Sequence, residues 1–380
     1  MRTLRLGDRG KDVRQVQEFL RLQGYDLGEE NYYGYQTKYA VQQFQKDHGL
    51  VPDGIAGKRF FALVLSEDLP IRRRIHVVQP GESLEEIAQN YGVGISAFSQ
   101  SRRLHKIFPG QRLLFFDREI WGVCPSDGKA PLLSGPLTGL VFTPPVPLDL
   151  EGPCVVQAPE DFTAASLELI RGSCGLYLGK KEVAPLQGTR YLKMLKRVRR
   201  KLPEGLMLWV ELGPGVPPRS LFGGVDYGAI NKLASRIVLS LPLPETPGPL
   251  LDPQEGERLL ATLWPHIHSW KVLLRIPIYA MEWKITEERA EPLKLPYGTA
   301  LSRAFRHGAR LEKDGEGGLY YRYQSKGTQF QLRLPQFSAI GELLALTNRH
   351  NLAGVVLDQL GMEDPRLWTI LSDYFHLAQL

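Results

Sequence analysis

Cys174-Gly175-Leu176-Tyr177-Leu178-Gly179-Lys180-Lys181 reads as a short buried strand. Leu176 and Leu178 are apolar and framed by glycines; a helical run precedes them at Phe162–Arg171 and another follows at Thr189–Leu202. A strand between two helices is the unit of a parallel α/β architecture, whose functional groups gather at the strand C-termini. In an α/β barrel catalytic carboxylates would stand here, and the stretch contains none.

Similar runs recur on both sides. Ile120–Cys124, Leu137–Phe142, Cys154–Gln157, Gly175–Leu178, Leu206–Leu212, Ile237–Leu241, Val272–Ile278 and Gly354–Leu360 are continuously apolar rather than alternating, the pattern of parallel strands covered by helices. Eight such strands in residues 118–380 predict an α/β fold, a (β/α)8 barrel, trimmed early because the first connections are too short for full helices. An inserted β subdomain is expected at about 298–336, where Gly308–Pro335 alternates aromatic and polar residues. Such an insertion would wall one side of a groove at the strand C-termini.

Two smaller units precede the barrel. In residues 1–66, helices begin near Lys11 and Thr37, with Val13, Val16, Phe19 and Leu20 on one apolar face and Ala40, Val41 and Phe44 on the other; a short third helix surrounds Phe60–Leu65. After the charged linker Pro70–Arg74, residues 74–117 read strand, Pro-Gly turn, helix capped at Ser83, short helix, strand.

The chain has 380 residues, 43% of them apolar, with 47 Lys and Arg against 41 Asp and Glu. That size allows two or three compact units, and the basic balance favours anionic partners without excluding an ordinary basic surface. Cysteines 124, 154 and 174 lack metal or redox spacing and read as buried free thiols. No cofactor or metal site is expected. No apolar run approaches the roughly 18 residues of a membrane span, and Met1–Asp8 has no apolar h-region, which predicts cytosolic synthesis without a standard export signal.

Within 1–66, L-R-x-G-x-x-G-x-D-V-x-x-V-Q-x-x-L, A-V-x-x-F-Q and D-G-x-x-G occur in order and resemble the three-helix bacterial peptidoglycan-binding domain. Asp53, Tyr32, Tyr33 and Tyr35 are candidates to line its groove. Residues 75–114 resemble a LysM module, which implies a shallow site for N-acetylglucosamine polymers between two loops, here Gly81, Glu82 and Ser83 and the segment holding Ile107, Pro109 and Gly110. One departure is Ser101, where the LysM pattern has asparagine.

Gly224–Ile230, Arg236–Leu241, Lys271–Trp283 and Leu352–Leu357 resemble the later half of glycoside hydrolase family 18, and the nearest pattern is that of LysM-bearing spore-cortex N-acetylglucosaminidases. Family 18 implies substrate-assisted hydrolysis, with the sugar acetamide as nucleophile and one glutamic acid as proton donor, supported by aspartates on strand four. Matched residue by residue, the leading aspartate falls at Cys174, the inner ones at Tyr177 and Gly179, and the general acid at Lys181. Lysine is a cation at neutral pH and cannot serve as that acid. A one-residue slip would offer Glu182 on the wrong side of the strand. Strand six shows Ser240-Leu-Pro-Leu243 where the family has M-T-Y-D, and strand eight shows Asp358 in place of tryptophan.

The expected function is therefore binding of peptidoglycan or another N-acetylglucosamine polymer, with a barrel that has lost catalysis. The competing expectation is an active cortex-lytic N-acetylglucosaminidase using relocated acids, Glu211, Glu282 and Asp358, at one mouth. Tyr279 and Trp283 follow the family segment into the groove, while Trp209, Trp264 and Trp270 read as packing. The basic helix holding Lys193, Lys196, Arg197, Arg199, Arg200 and Lys201 reads as a solvated outer face, with no nucleic-acid motif beside it. Synthesis in a mother cell and deposition at spore coat, cortex or wall are expected, with other coat proteins as further partners.

Overall fold

A computed structural model describes residues 2–22, 25, 27–47, 50–64, 73–91, 93–98, 106–125, 135, 137–143, 152–158, 170, 172–179, 188–213, 226–263, 266–287, 289–314 and 318–377. The N-terminal unit consists of α1 (Lys11–Leu22), α2 (Tyr35–Asp47) and α3 (Lys58–Val64). Val13, Val16 and Leu20 on α1 meet Val41 and Phe44 on α2 and Phe60 on α3 in one apolar core. Buried Gln17 braces the α1–α2 loop, its amide donating to the carbonyls of Glu29 and Tyr32 and accepting from the Asn31 N–H.

The second unit holds β1 (Arg73–Val77), α4 (Leu84–Asn90), a 3-10 turn at Ile95–Ala97 and the first half of β2 (Arg112–Val123). β1 runs antiparallel to residues 112–116, and Leu84, Ile87, Ala88 and Phe98 pack against Leu113 and Phe115. β2 then continues into the barrel, where Glu119–Gly122 pairs in parallel with the last barrel strand. One continuous strand thus belongs to two units.

The barrel closes through β2, β3 (Gly139–Phe142), β4 (Cys154–Gln157), β5 (Gly175–Leu178), β6 (Met207–Leu212), β7 (Arg236–Ser240), β8 (Val272–Pro277) and a final strand at Gly354–Asp358, all eight parallel. The eight expected strands are all present. Outside them lie α5 (Gly188–Lys201), α6 (Tyr227–Leu233) and α7 (Pro253–Leu263). The helix expected at 162–171 lies outside the described residues except for buried Ile170.

Strand alternation sorts the side chains. Trp121, Val141, Val155, Tyr177, Trp209, Val238, Leu273 and Val356 fill the lumen, while Ile120, Leu140, Val156, Leu176, Val210, Leu239, Leu274 and Val355 face the helices. Both faces are dry, which is why these strands read as unbroken apolar runs.

The inserted subdomain is larger than the expected 298–336. It begins directly after β8 with β9 (Ala280–Ile285) and β10 (Ala290–Leu295), continues through α8 (Tyr297–Arg306), and ends with β11 (Arg310–Lys313), β12 (Leu319–Ser325) and β13 (Thr328–Arg333). These form an antiparallel sheet of order β10-β9-β13-β12-β11. Then come α9 (Phe337–Arg349), the last barrel strand β14 (Gly354–Asp358), α10 (Leu367–Tyr374) and β15 (His376–Leu377), which pairs with the junction residues Asp117 and Arg118 of β2.

The second unit is docked on the barrel beyond its shared strand. The Gly94 N–H donates to Ser372 O at 3.2 Å, and a Cβ on Gly94 would lie 2.6 Å from the Asp373 Cα. Trp270, just ahead of β8, packs into the N-terminal core. Gly94→Val is expected to cost about 1–3 kcal/mol by overpacking and to open the α10 junction to proteolysis; unchanged thermal unfolding and nicking would contradict that contact.

Candidate active site and glycan loops

The lumen is layered from its N-terminal end to its mouth. At the bottom, the Arg236 guanidinium grips Glu119, with Nη2–Oε1 at 2.6 Å, and the Trp121 indole donates to the same carboxylate at 2.9 Å. Above it, Trp121 and Trp209 meet edge to face at 4.7 Å, and Trp209 meets Tyr177 at 6.0 Å. These layers pack the barrel.

At the mouth, alternation along β5, β6, β7, β8 and β14 turns Tyr177, Glu211, Ser240, Arg275 and Asp358 toward one another. Arg275 donates through Nη1 to Glu211 at 3.1 Å and through Nη2 to Asp358 at 2.7 Å. The Tyr177 hydroxyl donates to Glu211 Oε2 at 2.7 Å while accepting from Arg275 Nη1 at 3.1 Å. The Ser240 hydroxyl also donates to Glu211. Each Glu211 oxygen therefore already accepts a hydrogen bond. Lys294, from the inserted sheet, stands 3.7 Å from Asp358 and 4.4 Å above the Tyr279 ring.

Electrostatics matches this geometry. Burial works against the charge on Arg275, but Tyr177, Asp358 and Glu211 outweigh it and hold the guanidinium protonated. Complete burial, with Glu211 beside it, raises the Tyr177 hydroxyl well above the ordinary tyrosine value. The two buried carboxylates thus share the Arg275 guanidinium, with the exposed Lys294 ammonium 3.7 Å from Asp358 at the rim, as buried charge requires.

Strand four can be read position by position. Cys174 stands just ahead of β5, at the end opposite the mouth, its sulfur 2.8 Å from the Cys154 carbonyl and its thiol pushed up to about 11 by burial. Tyr177 faces the lumen. A Cβ on Gly179 would lie 3.2 Å from the Gln157 amide nitrogen and 3.7 Å from Glu211, so this glycine sits at the lip beside the acid. Lys181 and Glu182 lie outside the described residues, as does Trp264.

Three expectations are corrected. Glu282 does not share the mouth with Glu211 and Asp358. β9 begins at Ala280, so alternation sends Ala280 and Glu282 toward α8, where buried Glu282 accepts from Arg303 and the Tyr323 hydroxyl. Trp283, on the other face of β9, is fully buried in the main core rather than forming a groove floor. Tyr279 is also fully buried and presents no ring face to solvent; burial first, then the Asp358 charge, raises its hydroxyl.

The second unit holds its loops together by backbone bonds, Gly110 N–H to Val78 O at 2.8 Å and Val78 N–H to Gln111 O at 2.9 Å. Gly81 and Gly110 adopt positive φ, +89° and +82°, which their turns require. The Glu82 carboxylate accepts from the Gln79 N–H at 2.6 Å and lies 2.7 Å from His76 Nε2; those contacts, in that order, lower its pKa. Ser83 and Glu86 form a reciprocal capping box at the start of α4. Both side chains therefore shape the loop, leaving backbone and the partly exposed Ile107, Pro109 and Gly110 as its open surface. Phe108, within the same segment, is 63% exposed.

In the first unit Tyr33 is buried, contrary to expectation, because its hydroxyl donates to Gly54 O inside the core. The Asp53 carboxylate accepts from Gln45 at 2.7 Å and the Ile55 N–H at 2.9 Å, bracing a turn. Tyr32 is half-buried beneath the Arg9 guanidinium. Tyr35 and Tyr39 are the exposed aromatics, one turn apart on α2. Arg275 was also missed; its signal was a lone cation in the run Val272–Ile278. Among the described residues no cluster of side chains could hold a metal ion, and no helix is long and apolar enough to cross a membrane.

The peptidoglycan binding domain family model matches residues 9–63, and the LysM domain model matches residues 76–115. The fold is similar to that of the spore cortex-lytic enzyme SleL of Bacillus megaterium, at 17% identity and TM-score 0.56 over 82% of this chain and 89% of that one. SleL of Bacillus cereus is 17% identical with TM-score 0.55, covering 100% of this chain and 99% of that one. A chitinase of Chromobacterium violaceum, 16% identical, matches 67% of this chain and 98% of its own length with TM-score 0.51. The chain thus combines a peptidoglycan binding domain, a LysM domain and a (β/α)8 barrel whose fold is similar to those of SleL and the chitinase.

Arg275→Met removes the cation shared by two buried acids and is expected to lower stability by about 3–5 kcal/mol; a loss under about 1 kcal/mol in denaturant titration would mean that the acids are solvated. Ser83→Ala removes the capping box and is expected to cost about 1 kcal/mol in the LysM unit, read by hydrogen exchange in α4.

Proposed function

We propose that this protein binds the peptidoglycan of the wall or spore cortex through its two N-terminal modules and that its barrel does not hydrolyse glycan. The observation that carries this reading is the mouth itself. Strand four offers Tyr177 and Gly179 where substrate-assisted hydrolysis needs carboxylates, and the nearest acid, Glu211, accepts from Tyr177, Ser240 and Arg275. A general acid must present a proton to the glycosidic oxygen. Glu211 is turned instead toward three donors of its own. Asp358, where the family places a sugar-stacking tryptophan, is tied to the same guanidinium.

The likeness to SleL, named a spore cortex-lytic enzyme, supports cortex peptidoglycan as the polymer and the spore coat or cortex as the location. Coat proteins are the further partners this location implies. Purified protein mixed with cortex peptidoglycan is expected to sediment with it and release no new reducing ends. Product that disappears in Glu211→Gln would overturn the inactive barrel in favour of a glycosidase using relocated acids. Absence of sedimentation would overturn the binding reading.

A further inference from the structure

We infer that α5 is a third contact with the wall polymer, one that holds its carboxylates electrostatically. The helix carries Arg190, Lys193, Lys196, Arg197, Arg199, Arg200 and Lys201 and no acidic residue. Seven of the chain's 47 cations and none of its 41 acids lie here, so the other residues hold 40 cations against 41 acids. The whole positive balance of the protein is concentrated on one helix.

Its geometry makes a stripe. Tyr191, Leu195 and Val198 bury one face against the barrel. At 100° per residue, Arg190, Lys193, Lys196, Arg197, Arg200 and Lys201 fall together on the opposite face, and all are exposed. Among the described residues none of the seven cations forms an ion pair; Arg199 alone makes a side-chain hydrogen bond, to Leu206 O at 2.9 Å. The helix packed beside α5, α6, adds Lys232. Like charges at i+3 and i+4 repel along the stripe; the helix dipole offsets this only at the last turn, where Arg199, Arg200 and Lys201 lie. A face with only a solubility role mixes both signs. This one carries an electrostatic penalty that a bound polyanion relieves.

The partner follows from charge and position, and this step rests on the wall-binding reading above. Peptidoglycan bears free carboxylates along with the glycan that the two modules recognise. α5 follows β5, whereas the LysM unit sits on β2, α9 and α10, across the barrel. A flat lipid surface cannot meet both sides at once. A polymer mesh surrounding the protein can.

The test uses the full chain and peptidoglycan sacculi stripped of phosphodiester polymers, with a second portion whose carboxylates have been amidated. Lys193→Gln/Lys196→Gln/Arg197→Gln/Arg200→Gln keeps good helix formers and leaves Arg199 in place; the pairs Lys193→Gln/Lys196→Gln and Arg197→Gln/Arg200→Gln serve if the quadruple variant misfolds. Expected at 50 mM NaCl is binding about tenfold weaker for the quadruple variant, intermediate for each pair, with the difference gone at 500 mM and on amidated sacculi. Equal binding of wild type and variants at 50 mM overturns this inference alone. A defect confined to phosphodiester-bearing walls, or to duplex DNA or anionic vesicles, also overturns it by assigning another polyanion. Wild type that fails to sediment at either salt overturns the wall-binding reading together with it.

Discussion

A charge that leaves water must find partners, and at the barrel mouth one guanidinium meets that requirement for four strands. Arg275 on β8 reaches Glu211 on β6, Asp358 on β14 and the hydroxyl of Tyr177 on β5. Two acids so near a closed lumen would repel each other without it, and their placement beside an arginine makes the mouth self-satisfied. The same rule operates at the other end, where Arg236 holds Glu119 under Trp121. Between these two ion pairs the tryptophan layer excludes water. The barrel is thus clamped at both ends by charge and filled between by aromatic rings, with no catalytic chemistry needed to explain either clamp.

The eight strands were legible because parallel strands dry on both faces leave a run of apolar residues that helices and loops do not imitate. The mouth was only half legible. Glu211 and Asp358 could be placed by counting to the strand ends, but Arg275 looked like an isolated cation, since a sequence does not show which strands a long side chain spans. Glu282 and Trp283 were misplaced for a sharper reason. The run from Val272 through Trp283 is apolar except for Arg275 and Glu282, yet the chain passes from barrel to inserted sheet at Ala280, and nothing in hydropathy marks that change. A shift of sheet reverses what each residue faces, so two inferred groove residues became core. Tyr33 fails similarly: three tyrosines in four residues look alike, and only the Gly54 carbonyl across the core selects one for burial.

Strand β2 gives the modules a mechanical relation that composition would not suggest. Its first half completes the LysM sheet and its second half closes the barrel, so rotation between them would break ladder hydrogen bonds on one side or the other. Gly94 against Ser372, and β15 along the junction residues Asp117 and Arg118, add further ties. The loops around Gly81 and Gly110 consequently keep a fixed direction relative to the barrel mouth, unlike a module on a flexible tether.

Packing accounts for the residues that strand four brings to this mouth. Strand four must keep its glycine frame: a Cβ on Gly175 would lie 2.6 Å from the Met207 carbonyl oxygen on β6, and Tyr177 must fill the lumen above Trp209. These demands come from packing, and they are met without a carboxylate. Catalysis makes a different demand, an acid with an unoccupied oxygen facing a sugar, and Glu211 accepts hydrogen bonds at both of its oxygens. Gly179→Asp would set a second negative charge beside Glu211, upsetting the balance that Arg275 maintains. The arrangement that stabilises this mouth is therefore explained by packing and charge balance, which set different demands from those of an acid that must face a substrate.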